Sequence, residues 1–153
     1  MPGKFCVSLS FAKDNPDKAT VGFVIANAAA ASDKETLVFL SIEGVRLSQK
    51  GYADDIHEEG FAPLKELLAN FANAGGKIYV CSPCFNKRKL DLNNLVSSAA
   101  IVGGAKLVEF LSDGAPCVSY QGGTRLNRWR AIRWNPMSRS MAATWIAGTG
   151  SCS

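Results

Sequence analysis

The sequence predicts an α/β fold built on a parallel β-sheet. Short runs rich in β-branched and apolar residues alternate along the chain with segments of helical period. This order is typical of parallel strands that are joined by right-handed helical crossovers. One run, residues 35–42, contains the nearly continuous apolar stretch TLVFL, as expected of a strand that is buried on both faces of a sheet. The 153 residues are enough for one domain with a full hydrophobic core.

The first predicted strand and helix lie in the amino-terminal part of the chain. Residues 4–11 alternate between apolar and polar side chains and are rich in strand-forming residues. The Asp-Asn-Pro-Asp sequence that follows favours a turn and a helix start, with Asp17 as the helix cap. Residues 19–31 are alanine-rich and almost uncharged. Because a helix that is apolar all round is normally buried, we expect this one to pack against the sheet or against another subunit.

The central part of the chain is predicted to contribute a strand, a loop and a helix. Residues 35–42 form the strand that is buried on both faces, and residues 43–59 are polar enough for a surface loop. Residues 61–74 have the helical period, with three leucines and a phenylalanine on one stripe. The Gly75-Gly76 pair ends this helix, since glycine readily adopts the backbone conformation that closes a helix.

Three short strands and two helical segments complete the predicted fold. Residues 77–81 form a strand, and residues 83–89 can form a basic helical turn. Residues 99–102 are predicted as the next strand and residues 103–111 as a helix that ends at an Asp-Gly pair. Residues 116–120 form the last strand. The alternation of strands and helices therefore continues to the end of this part of the chain.

Charge divides the sequence into two parts. All thirteen acidic residues lie in the first part, residues 1–120, whose net charge is −1. The second part, residues 121–153, contains five arginines, all three tryptophans and no acidic residue. From this shift and a Gly-Gly pair near the boundary, we expect an α/β domain over residues 1–120 and a basic carboxyl-terminal extension over residues 121–153.

The basic extension permits several interpretations. Arginines interleaved with tryptophans can contact phosphates and stack on bases, or bind an anionic membrane surface. Packing against a neighbouring subunit, or an extension without a role of its own, accounts better for the pattern, so we expect no nucleic-acid binding. No stretch reaches the roughly 18 apolar residues that a membrane span needs, and the amino terminus lacks the apolar region of a signal peptide. The sequence therefore predicts a cytoplasmic protein without a membrane span.

The spacing of the cysteines points to one candidate site. The chain has five cysteines, an odd number that argues against a disulfide framework. Ligands of open parallel sheets bind beyond the carboxyl ends of the strands. The residues that follow the predicted strands include Ser10, Glu43 with Gly44, and the sequence Cys81-Ser82-Pro83-Cys84. The cysteine pair therefore stands where a reactive group is expected.

Three chemical interpretations of the Cys81-x-x-Cys84 pair can be compared. A zinc site needs about four ligands, and the pair with the single histidine supplies at most three, so we expect neither a metal nor another cofactor. The two thiols can instead cycle between dithiol and disulfide, or one of them can carry a persulfide. A thiol at a strand-to-helix junction, close to Lys87, Arg88 and Lys89, is expected to favour the thiolate. The spacing alone leaves the two sulfur chemistries open.

Four stretches of the chain resemble the DsrE/DsrF-like family, whose members include sulfur-relay proteins. They are residues 19–28 (ATVGFVIANA), 38–45 (VFLSIEGV), 76–84 (GKIYVCSPC) and 100–105 (AIVGGA). The resemblance covers residues 4–120 and none of the basic extension. The third stretch is the most specific, because the sulfur-carrying cysteine of the family follows that strand and Cys81 occupies its place.

This resemblance implies a three-layer YchN-like α/β sandwich that assembles into trimers or hexamers. It also implies that Cys81 accepts sulfur from a donor protein and passes it to an acceptor protein, as a sulfurtransferase-like persulfide carrier. Cys84 would then resolve the persulfide or act as a second stop in the relay. We expect the sulfur-binding part of the site to include Ser82, Arg88, Glu43, Gly44 and Ser10.

Two other functions fit the same residues. A thiol–disulfide oxidoreductase would use both Cys81 and Cys84, in a strand–Cys-x-Pro-Cys–helix arrangement similar to that of thioredoxins. A non-catalytic oligomeric binding module would need neither cysteine. Only the family resemblance favours the sulfur relay over the oxidoreductase, since fold and composition do not distinguish them.

Overall fold

A computed structural model describes residues 3–121. Its five strands form one sheet and are all parallel to their neighbours. In chain order they are β1 (Lys4–Leu9), β2 (Glu35–Leu40), β3 (Lys77–Cys81), β4 (Ala99–Val102) and β5 (Cys117–Tyr120). Their order across the sheet is β4-β3-β2-β1-β5, so β2 lies at the centre and β4 and β5 form the edges. The predicted parallel sheet is confirmed.

Four helices connect the strands. They are α1 (Pro16–Ala31), α2 (Leu64–Asn73), α3 (Ser82–Lys87) and α4 (Gly104–Ser112), with two 3-10 segments at Ile42–Ser48 and Leu92–Asn94. Helices α1 and α2 pack on one face of the sheet, and α4 packs on the other. This arrangement is the predicted three-layer sandwich. No helix within residues 3–121 is both long and apolar enough to cross a membrane.

Alternation along the strands divides the core between the two faces of the sheet. The larger core, beneath α1 and α2, contains Val7 and Leu9 of β1 together with the apolar residues of β2 and β3 that share their face. Phe23 of α1 and Phe71 of α2 meet edge to face within it, with ring centroids 6.0 Å apart. The smaller core lies beneath α4 and is formed around Cys6, Leu37, Phe110 and Ala115.

The structure differs from the sequence-based expectation at the start of α1. The helix begins at Pro16, and the side chain of Asn15, not Asp17, caps it by accepting a hydrogen bond from the Lys18 N–H at 3.1 Å. Proline suits this position, because its missing N–H has no partner in the first turn of a helix. Burial of α1 is one-sided, since Ala28 and Ala31 near its end are exposed.

The expected polar loop after β2 was also wrong in part. Residues 42–48 form a 3-10 helix in which Val45 and Leu47 are fully buried. This apolar pair was not predicted to be buried, because charged residues surround it in the sequence. Both residues belong to the larger core. Helix α2 in turn begins at Leu64, after Pro63, and not at residue 61.

Gly44 brings the 3-10 helix against the end of β1. Its N–H donates to the Ser10 carbonyl at 3.1 Å, and a Cβ atom at this position would lie only 2.5 Å from the carbonyl oxygen of Leu9. Because real Cβ atoms do not approach backbone oxygens so closely, only glycine fits here without a backbone shift. The contact fixes the position of the neighbouring residue, Glu43, at the carboxyl edge of the sheet.

Replacing Gly44 with alanine is expected to lower the free energy of unfolding by about 1–3 kcal/mol, the usual cost of forcing an extra carbon into a packed site. Urea denaturation followed by circular dichroism measures the change. Gly104→Ala is the matched control, because nothing lies within 4 Å of the added carbon and alanine is the better helix former. Equal stability of the Gly44→Ala variant and the wild type would contradict the close approach.

Candidate functional site

Cys81 is the last residue of β3, and α3 begins at the next residue. Its backbone is extended, so the chain turns directly from strand into helix at this position. On one side it pairs with Val102 of β4, and on the other side lies the end of β2. Proline at residue 83 fits the first turn of α3, where no N–H is needed. The strand-to-helix turn therefore places both Cys81 and Cys84 at the carboxyl edge of the sheet, half-buried against the larger core.

The two thiols of this pair lie close together. The side chain and the backbone N–H of Cys84 are both near enough to Cys81 to act on the pKa of its thiol. Burial is the largest influence and raises the pKa of Cys81 above its ordinary value, while the Cys84 N–H and the charge of Arg88 act in the opposite direction. The expected resting thiolate at Cys81 was therefore wrong, because loss of hydration outweighs the helix terminus and the nearby cation.

Arg88 is held in place by three hydrogen bonds. Its Nε and Nη2 donate to Oε1 of Glu43 at 2.8 and 2.6 Å, and its Nη1 donates to the Cys84 carbonyl at 3.2 Å. Only 12% of its side chain is exposed. Hydrogen bonds between ions are stronger than neutral ones, and several of them fix a guanidinium in one orientation. The positive charge next to the cysteine pair is thus part of the folded structure and not a mobile surface charge.

Glu43 accepts hydrogen bonds from two arginines. Besides Arg88, it receives a hydrogen bond from Nε of Arg46 to its second oxygen at 2.8 Å. The hydrogen bonds of Arg46 and Arg88 lower the pKa of Glu43, so this carboxylate stays ionised well into acid. Arg46 had no predicted role, although its position three residues after Glu43 on a helical turn is a spacing that brings opposite charges together.

The remaining predicted site residues are Ser82, Ser10 and Gly44. Ser82 is half-buried and is the first residue of α3, next to Cys81. Ser10 is buried, and its Oγ and N–H both donate to the Tyr120 carbonyl of β5, at 3.2 and 3.0 Å. The Gly44 N–H donates to the Ser10 carbonyl at 3.1 Å. The structure therefore brings together Cys81, Cys84, Glu43 and Arg88, while the polar atoms of Ser10 serve to join β1, β5 and the 3-10 helix.

Ile42 is an unusual residue at the same edge of the sheet. It is a β-branched residue with a φ of 52°, and 53% of its surface is exposed. This left-handed conformation is costly for a side chain branched at Cβ, and such strain tends to occur at functional sites. It turns the chain between β2 and Glu43. The sequence carries no signal for it, because glycine or asparagine is the usual residue in this conformation.

A cavity of about 230 Å³ lies apart from the cysteine pair. It is lined by residues 49–51, 53 and 54, by one side of α2 and by residues 96–98, and this set includes neither cysteine. The basic extension, residues 121–153, was predicted to be a separate part of the chain. Apart from Gln121, it lies outside the described residues.

Solved structures with similar folds were found in three organisms. The ychN protein from E. coli superposes with a TM-score of 0.65 and 16% identity, covering 77% of this chain and 99% of that chain. The protein of unknown function MTH1491 from Methanobacterium thermoautotrophicum gives 0.57 and 11%, covering 78% and 98%. A protein of unknown function from Bacteroides thetaiotaomicron, BT1422, gives 0.55 and 16%, covering 76% and 94%. These similarities show the fold.

Sequence comparison identifies the family. A curated relative, the uncharacterized protein MJ0760 of Methanocaldococcus jannaschii, is 30% identical over 98 residues. The matched region is 64% of this chain and 36% of the relative, so the chain spans about a third of that protein's length. Residues 4–119 match the sequence profile of the DsrE/DsrF-like family, which includes β1 and all but the last residue of β5. The chain therefore belongs to the DsrE/DsrF-like family.

Proposed function

We propose that this protein is a sulfur-relay protein that carries sulfur as a persulfide on Cys81. Membership of the DsrE/DsrF-like family supports a function of the sulfur-relay type at the level of the family. The assignment of the persulfide to Cys81 rests on the position of this residue. It ends a strand at the carboxyl edge of the sheet, with a second thiol and a fixed guanidinium close by.

Loading begins with a persulfide on a donor protein. The Cys81 thiolate attacks the outer sulfur of the donor, the donor's sulfur–sulfur bond breaks, and the donor leaves as a thiolate. The product is a Cys81 persulfide, and no external oxidant or reductant is consumed. Because the half-buried Cys81 is a thiol at rest, it must lose its proton before this attack.

The groups around Cys81 favour the anionic forms of the reaction. The charge of Arg88 and the N–H of Cys84 both lower the pKa of the Cys81 thiol, in opposition to burial. In this proposal, the same two groups stabilise negative charge on a bound outer sulfur. Groups that are already fixed need no reorganisation during the reaction, which makes such stabilisation effective. Glu43 acts by positioning Arg88.

Two routes can discharge the persulfide. In the relay route, a thiolate of an acceptor protein attacks the outer sulfur and Cys81 leaves as a thiolate. In the release route, Cys84 attacks the inner sulfur, hydrosulfide leaves, and a Cys81–Cys84 disulfide remains. The release route reduces the carried sulfur and oxidises the two thiols, so a reductant must restore the protein. Both cysteines are only half-buried, which suits exchange with a cysteine of another protein.

A second candidate function is thiol–disulfide exchange by the same pair. The observation that favours it is the closeness of Cys84 to Cys81, near enough to act on its pKa, since adjacent thiols can form a disulfide. This function needs both cysteines in every cycle, whereas persulfide loading needs only Cys81. Single replacements therefore separate the two.

We also propose partners, an assembly and a compartment for the relay. Donor and acceptor proteins each supply one cysteine, and the protein assembles into a trimer or hexamer through copies of its α/β domain, residues 1–120. The four cysteines of the described residues are free thiols, so a reducing compartment such as the cytoplasm suits them. The basic extension has no place in the proposed chemistry.

Incubation with a cysteine desulfurase and cysteine tests the loading step. We expect the intact mass of the wild type to increase by one sulfur. Cys81→Ser is expected to abolish this gain, because the attacking sulfur is lost. Cys84→Ser is expected to retain it and to prolong the life of the loaded form, because the release route is closed.

Cys117→Ser is the control for sulfur added to an exposed thiol outside the site, and it should load as the wild type does. Sulfur loading that persists in Cys81→Ser would rule out Cys81 as the carrier. A loss of two hydrogens without any gain of sulfur, in the wild type and not in either single variant, would support the oxidoreductase instead.

Replacing Arg88 with glutamine is expected to slow alkylation of Cys81 near neutral pH. Without the cation, the pKa of Cys81 rises further, so less thiolate is present; at high pH the two proteins should react equally. The rate against pH is read by mass spectrometry from the tryptic peptide that contains Cys81. Lys87→Gln removes the neighbouring exposed charge, at the end of α3, and should leave the profile unchanged. An unaltered profile for Arg88→Gln would show that its charge does not act on Cys81.

A further inference from the structure

A second pair of cysteines lies outside the proposed sulfur site. Cys6 of β1 and Cys117 of β5 are direct partners in the parallel register. Direct partners in parallel strands project to the same face of the sheet, and neighbouring strands lie about 4.8 Å apart. The Cα atoms of disulfide-bonded cysteines are usually about 4.4–6.8 Å apart. The register therefore places the two Cα atoms at a separation that a disulfide can span, and the Cys117 thiol is close enough to raise the pKa of Cys6.

The two thiols differ strongly in access to solvent. Cys6 is fully buried beneath α4, in the smaller core with Leu37, Phe110 and Ala115. Cys117 is exposed, because β5 is an edge strand of the sheet that residues 3–121 form. One thiol can thus meet a solute, and the other can be reached only through the first. This is the arrangement of an attacking thiol and a resolving thiol.

This pair is separate from the proposed relay site. Strand β2 lies between β1 and β3, so the pair at Cys6 and the pair at Cys81 are on strands that do not touch. Cys6 and Cys117 are the third residue of β1 and the first of β5, whereas Cys81 is the last residue of β3. The chemistry proposed for Cys6 and Cys117 therefore does not depend on that of Cys81 and Cys84.

We propose that Cys6 and Cys117 form a redox-active dithiol that reacts with low-molecular-weight disulfides and closes into a disulfide between β1 and β5. The Cys117 thiolate attacks one sulfur of the small disulfide, which releases one thiol and leaves a mixed disulfide on Cys117. Cys6 then loses its proton, attacks the Cys117 sulfur and releases the second thiol. The protein is oxidised by two electrons, and the small disulfide is reduced to two thiols.

The second step is the slower one. Burial raises the pKa of Cys6, and the neighbouring Cys117 raises it further, so very little thiolate forms at neutral pH. Closure should therefore accelerate as pH rises, and the mixed disulfide should accumulate transiently near neutrality. The buried position also protects Cys6 from direct attack by solutes.

The disulfide would link β5, an edge strand of the sheet, covalently to β1. The disulfide would span the chain from β1 to β5 and so enclose every helix of the described fold. A crosslink that closes a long loop restricts the unfolded chain most strongly, which stabilises the folded state. It would also secure β5, whose Tyr120 carbonyl accepts the hydrogen bonds of Ser10.

The test uses a variant of the full chain with Cys81→Ser, Cys84→Ser and Cys152→Ser, in which only Cys6 and Cys117 can react. Treatment with oxidised glutathione should cause a loss of two hydrogens from the intact mass. The tryptic peptides that carry Cys6 and Cys117 should then appear joined. Oxidation should also raise the urea midpoint of the variant, and reduction should reverse both changes.

Further replacement of Cys6 by alanine should stop the reaction at a stable glutathione adduct, and replacement of Cys117 by serine should prevent it altogether. A stable adduct with Cys6 still present, a dimer joined through Cys117, or no reaction would each overturn the proposal. If the triple variant does not fold, mapping of the joined peptides in oxidised wild type gives the same decision, because each disulfide has its own peptide pair.

Discussion

The candidate site depends on the ion pairs of the Glu43 carboxylate. They join two parts of the chain, since Arg46 lies in the same 3-10 helix as Glu43 and Arg88 follows α3. Arg88 also bonds to the Cys84 carbonyl, so the carboxylate fixes the cysteine-bearing helix against the end of β2. Gly44 in turn lets the 3-10 helix approach the backbone of β1, which sets the place of Glu43. The Glu43 carboxylate thus joins the segments that follow β2 and β3, and Gly44 joins the same 3-10 helix to the end of β1.

Two opposing effects set the chemistry of Cys81. Burial favours the neutral thiol, while the held guanidinium and the Cys84 N–H favour the anion. A carrier benefits from both. The neutral thiol is less readily oxidised between encounters, because thiolates are the reactive form. Once the proton is lost, the charges that stabilise the anion are already in position. In the proposed relay, Cys81 would in this way be protected at rest and supported during the reaction.

Much of the fold could be predicted from the sequence, because it rests on periodicity. The continuous apolar run of β2 and the alternation of strands and helices were enough to predict a parallel sheet with helices on its faces. The position of Cys81 at a strand end followed from the same pattern. The buried turn at Val45 and Leu47 was missed, since two apolar residues among charges carry no periodic signal. The pKa direction of Cys81 could not be predicted, because it depends on burial, which spacing does not report.

The central claim is that the carried sulfur is bound to Cys81, and its position in the loaded wild type can be read directly. Trypsin releases residues 78–87 as one peptide that contains both Cys81 and Cys84. After loading and alkylation, fragmentation of this peptide locates the extra sulfur. The account predicts that the extra sulfur lies on Cys81, with Cys84 alkylated as an ordinary thiol. Extra sulfur on Cys84, or a peptide in which the two cysteines are joined and no sulfur has been gained, would contradict it.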